Sequence, residues 1–177
     1  KVARAMAGEC ARQALYLTLR VLTLLCVSEH GLGLSEYHTH ALLDAELPVA
    51  GRGACWTLVC HYVSLFLPSP ARGVWSVPHA AHADGLKAGL VLGRGAQQHT
   101  ELADYHVALL APRGNGSFRG GLDEPYVLLV APYHLLRAGE ERLPRLLELL
   151  RSSGYARLLV ATEHTPPLPL MLVEILC

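Results

Sequence analysis

Two short apolar runs decide how this chain is read: Tyr105-His106-Val107-Ala108-Leu109-Leu110-Ala111 and Tyr126-Val127-Leu128-Leu129-Val130-Ala131. Pro112 follows the first, and Pro125 and Pro132 bracket the second. Apolar runs of this length between Pro or Gly breakers have the signature of buried strands, so both predict strands. Pro112 to Gly121 between them is polar and Gly-rich and predicts a turn. Leu86 to Leu92 predicts an earlier strand, and Leu158 to Ala161 and Leu170 to Leu176 predict two final ones.

The front of the chain has a different texture. From Val2 to Glu29 it carries Ala, Leu, Met and Arg with apolar residues on most faces, which predicts one long, largely buried helix ended at Gly31 to Gly33. Ser35 is a ready cap for a second helix running through Ala45, with Pro48 closing it. Val49 to Ala54 reads as a small-residue loop. A third helix, Cys55 to Leu67, is stopped by Pro68 and Pro70. Near the other end, Glu140 to Arg151 carries leucines at 143, 146, 147, 149 and 150, an amphipathic stripe terminated by Gly154. The expected architecture is therefore α+β: a single domain, 1–177, whose helical half (1–70) packs on a mostly antiparallel C-terminal sheet (84–177).

Composition narrows the function classes. Apolar residues make up 51% of the 177 and charged residues 17%, enough apolar surface to offset the ordering entropy of one compact, water-soluble domain. The formal net charge is zero and no basic stripe or acidic tail occurs, which excludes a nucleic-acid or anionic-lipid partner from the expectation. Thirteen arginines against two lysines, with one Ile and one Asn, indicate a G+C-rich gene, as in some viruses, actinobacteria and vertebrates. A start at Lys1 reads as a fragment or processed product. The longest apolar stretch, Ala14 to Val27, is interrupted by Arg20 and reads as a buried helix rather than a membrane span or a signal peptide.

The five cysteines (10, 26, 55, 60 and 177) are odd in number and irregular in spacing, so reduced thiols are expected, with no disulfide framework and no zinc site. That favours a reducing cytoplasm. The sequon Asn115-Gly116-Ser117 leaves a secreted or virion-associated location open.

The residues that could carry chemistry begin at Gly53-Ala54-Cys55-Trp56. A thiol on the first turn of a helix is favoured as its anion, and unpaired N–H groups there can hold an oxyanion. His106, heading an apolar strand 51 residues on, would supply the general base, and Asp123 would orient its imidazole. These residues resemble papain-like cysteine proteases, in particular the compact leader proteases of RNA viruses. The matching positions are Gly53 to Trp56 and His106 with the following Val107 and Ala108. The resemblance implies Cys55 as nucleophile, His106 as base, and Ala54 and Trp56 as oxyanion and aromatic support. The sequence departs from that pattern in having no Gln shortly before Cys55 and in continuing for 71 residues after His106.

The expected activity is a thiol hydrolase cleaving a peptide or isopeptide bond of a protein substrate, without cofactor or metal. The alternative is a non-enzymatic interaction domain of a larger assembly, viral or otherwise, with Cys55 and Trp56 as plain core. That alternative predicts exposed leucines on the 140–151 helix or the last strand that form a patch larger than roughly a few hundred Å². His38 and His40, with Asp44 four residues on, form an HxH pattern of the kind seen in metal hydrolases, but Gly51 stands where a metalloprotease Asp is needed. His79 and His82 read as solvated loop residues, His61 as packed or partner-facing, and Arg113 to Gly121 as a β-turn rather than a phosphate cradle.

Overall fold

The protein, described from a computed structural model, is visible over residues 2–28, 34–67, 74–77, 84–91, 93–110, 125–152 and 155. It divides into two compact units, 1–92 and 93–177. Both are helical. Among the described residues the expected C-terminal sheet is absent, and the only strands are β1 (Leu34–Ser35) and β2 (Val74–Trp75). They form an antiparallel pair with Leu34 opposite Trp75, in the front unit. The α+β expectation is therefore corrected to a mostly helical fold.

The front unit is built on α1 (Val2–Val27). Ala14, Leu17, Thr18, Val21, Leu22, Leu24 and Leu25 recur at helical spacing and are buried, so the helix stands on a continuous apolar stripe. Its two buried threonines return their hydroxyls to the preceding turn, Thr18 to the Ala14 carbonyl and Thr23 to that of Leu19, both at 2.7 Å. Ser35 caps α2 (Glu36–Leu43) by accepting the His38 N–H at 3.0 Å, as expected. The third helix, α3 (Arg52–Phe66), starts earlier than its sequence suggests. Gly51 turns the chain at a left-handed φ of 76°, which only glycine adopts without strain, and Arg52 then pairs with Asp44 at 2.6 Å. Cys55, Val59 and Val63, at i, i+4 and i+8, bury the face of α3 in the unit that it shares with α1. The predicted strand at 86–92 is instead a π-helical turn, Lys87–Val91, packed near α1.

The back unit overturns the reading of the two decisive runs. Tyr105 to Leu110 is the end of α4 (Gly95–Leu110), and Tyr126 to Ala131 is the front of α5 (Pro125–Arg137). Along α4 the buried residues are Gln98, Leu102, Ala103, His106 and Leu110, a 3.6-residue stripe that begins at Gln98, well before the run. Along α5 nearly every described position is buried, from Val127 and Leu128 to His134 and Leu135, so the helix has no polar face to betray its period. The amphipathic segment near residue 140 is helical as expected: a 3₁₀ turn, Glu140–Arg142, leads into α6 (Leu143–Arg151). Leu146 packs with Ala103 and Leu135, and Leu149 and Leu150 lie against the same core. Arg142 grips Asp104 with both guanidinium nitrogens, at 2.9 and 3.1 Å, tying the 3₁₀ turn to α4. The predicted strands at 158–161 and 170–176 and the 112–121 turn lie outside the described residues.

Pro132 sits inside α5 and has no N–H, so the Leu128 carbonyl one turn earlier loses its normal helical donor. The Tyr155 hydroxyl fills the vacancy, donating to that carbonyl at 2.7 Å. Burial pushes the Tyr155 phenol up to about 12, so it remains a neutral donor at all ordinary pH. Removing the hydroxyl in Tyr155→Phe leaves a buried carbonyl without its donor and is expected to lower stability by about 1–3 kcal/mol. Urea unfolding of Tyr155→Phe in a Pro132→Ala background checks the account. The restored N–H of residue 132 should reduce the loss, and strict additivity of the two substitutions would contradict it.

Candidate functional site

Cys55 is the fourth residue of α3 rather than a residue of its open end. Its N–H already donates to the Gly51 carbonyl at 2.9 Å and is not among the free groups of the helix start. The side chain is fully buried, with Sγ 3.8 Å from the Cys10 carbonyl of α1. Burial, reinforced by the neighbouring Cys10 thiol, pushes the Cys55 thiol up to about 11. Cys60, one turn on, points Sγ at the Glu36 carboxylate at 3.4 Å, and burial together with that negative neighbour pushes it to about 12. The four described cysteines (10, 26, 55 and 60) are free thiols, and burial also raises Cys26.

The residues expected to support Cys55 have other environments. Ala54 is exposed. Trp56 belongs to an aromatic group in which His40 meets its ring edge-on, centroids 4.7 Å apart, and Trp75 of β2 lies at 6.1 Å. His40 is thus a packing residue, and Asp44 is taken by Arg52. Among the described residues no three His, Cys, Asp or Glu side chains are grouped to hold a metal ion. His61 is exposed on α3, while Asp123, His79 and His82 lie outside the described residues.

His106 sits within α4, fully buried, in the back unit. Its Nδ1 donates to the Leu102 carbonyl one turn earlier at 2.7 Å, so in the neutral ring Nε2 carries the lone pair. The His106 ring stacks on that of His134 of α5, 5.9 Å between centroids and 10° between planes. His134 in turn faces His99, the two Nδ1 atoms 2.8 Å apart, one ring necessarily donating and the other accepting. Tyr105 and Tyr133 flank the group edge-on, and the Arg137 guanidinium lies over the Tyr133 ring at 5.8 Å. His134 is fully buried, and its Nε2 has no hydrogen-bond partner among the described residues; Oε1 of the buried Gln98 shares that condition. Burial first, and then the nearby His106 and His99, hold His134 well below the usual histidine range.

Of this cluster only His106 was legible as a site residue. The signal for the rest is present once α4 is read as a helix. His99 and His106 are seven residues apart and share one face, and the Tyr-His pair at 105–106 recurs at 133–134.

One further feature is on the surface. On α6, Leu143 is 37% and Leu147 48% exposed, while Leu146 is buried. Leu147 also borders a shallow recess of about 530 Å³ with Pro144, Glu148, Arg151 and Ser152. In the front unit α1 shows Leu15, Tyr16 and Leu19 about half exposed. By length and composition its Ala7–Val27 stretch is apolar enough to cross a membrane, although 56% of that stretch is buried within the protein, as in a core helix.

A thiol held near pKa 11 carries about a hundredfold less thiolate at pH 8 than an ordinary one. Cys55 should therefore be alkylated by iodoacetamide at least about a hundredfold faster in the unfolded chain than in the native protein at that pH. Rapid native labelling of Cys55, followed by peptide mapping, would contradict the buried placement. Comparisons with protein-family models, with curated proteins and with solved structures give no match for this chain.

Proposed function

We propose that the chain is a non-enzymatic helical interaction domain of a larger assembly, which binds a protein partner through the outer face of α6. The observation that carries this reading is the placement of Leu143 and Leu147 in the open on a helix anchored from its other side by Leu146. Completing the burial of a half-exposed leucine contributes on the order of 1 kcal/mol, and a recess edged by Glu148 and Arg151 supplies a polar rim with both charge signs. The interaction-domain alternative predicts exposed leucines on the 140–151 helix, and Leu143 and Leu147 are two such residues.

The thiol hydrolase reading draws no support from the surroundings of its own residues. A nucleophilic cysteine requires an accessible, acidified thiol, and Cys55 is buried with its proton held tightly. A general base requires an imidazole open to substrate, and His106 is buried between α4 and α5.

The experiment is capture of the partner from the protein's own source by the wild-type chain and by a Leu143→Glu/Leu147→Glu variant. Both positions are surface sites, so folding stability should change by less than about 0.5 kcal/mol per site. A partner retained by the wild type and lost by the variant supports the proposal. Equal capture by both would place the interface elsewhere.

A further inference from the structure

The histidine cluster of the back unit has no part in the proposed α6 interface, yet it is the most concentrated group of titratable side chains among the described residues. Its geometry suits a neutral His134 and is hostile to charge on that ring. The contact between His99 and His134 requires one Nδ1–H and one Nδ1 lone pair at 2.8 Å. When both rings are protonated, both nitrogens become donors and two N–H groups face each other at that distance. A protonated His134 also carries a second N–H at Nε2, which has no acceptor among the described residues, in a fully buried position. The stacked ring of His106, protonated, would add like charge 5.9 Å away.

Among the described residues no negative charge is seen to act on His134. The groups acting electrostatically on His134 are His106 and His99, both from α4. On its own helix the neighbours are Tyr133 and, above it, the cationic Arg137. From α6 the residues turned inward are Leu146, Leu149 and Leu150, whereas Arg145, Glu148 and Arg151 are exposed, and Arg142 is engaged with Asp104.

We propose that His99, His134 and His106 form an acid-operated latch: as neutral rings they pin α4 to α5, and proton uptake in mildly acidic medium releases the pairing. The apolar side chains that the two helices cover, among them Leu102, Leu110, Val127, Leu128 and Leu135, become exposed on release. The direction follows from which state holds the protons. The unfolded chain protonates its histidines at the ordinary value near 6.5, whereas the folded unit keeps His134 neutral to a much lower pH. The stability contributed by the neutral ring is therefore complete above about pH 6.5 and is lost as pH falls below it.

The test is hydrogen exchange with mass spectrometry on the full chain between pH 7.5 and 5, intrinsic rates corrected for pH, read separately over 93–110 and 125–152. The opening constant of these segments should rise about tenfold per pH unit below about 6.5 for each proton taken up on opening. In a His134→Phe variant, which keeps a flat ring but cannot titrate, that rise should be reduced. A pH dependence in His134→Phe equal to that of the wild type would overturn the proposal. Should the variant fail to fold, NMR titration of the wild-type imidazole signals decides. His134 staying neutral until the unit opens supports the latch, and His134 titrating near 6.5 with amide protection unchanged refutes it.

Discussion

A proline placed in the most deeply buried helix constrains the whole back unit. Pro132 breaks one rung of α5, and a helix buried on nearly all sides cannot hand the freed Leu128 carbonyl to solvent. A donor has to arrive from elsewhere in the fold, and it comes from Tyr155, beyond the end of α6. The chain after α5 must therefore turn back: Gly139, at φ 118°, and the 3₁₀ turn carry it round, and Arg142 fastens that turn to Asp104. Leu146 is then delivered to Ala103 and Leu135, so a local defect in hydrogen bonding and the closure of the apolar core have one solution.

The same burial explains the imidazoles. Polar rings in the middle of a helix pair are tolerated when they satisfy one another or the backbone, as His106 does with Leu102 and His99 with His134. For His134, burial and the neighbouring imidazoles favour the neutral ring. The thiols of the front unit follow a parallel rule. Cys55 and Cys60 lie in settings that retain their protons, the first by burial beside Cys10 and the second by burial beside Glu36.

α6 has a short apolar repeat whose leucines divide between inside and outside, Leu146 in the core and Leu143 with Leu147 exposed, on the face we propose for contact. Such a division is economical in a nine-residue helix, since one turn can serve both packing and recognition.

Read alone, the sequence determined the long first helix, the Ser35 cap, the amphipathic helix ahead of Gly154 and the absence of a metal-binding pattern in the cysteines. Each rests on local chemistry: a hydroxyl at an N-cap, leucines at helical period, irregular cysteine spacing. Tyr105 to Ala111 and Tyr126 to Ala131 could not be decided locally, because a short run of apolar residues looks the same as strand or as helix. Pro132 made the second run look complete at six residues, when the helix in fact continues through the proline with Tyr155 supplying the lost bond. Only the tertiary structure could show this, and for the same reason only it could assemble the cluster. His99, His106 and His134 lie on two helices separated by a long connection, and what brings their rings together is packing, not spacing in the chain.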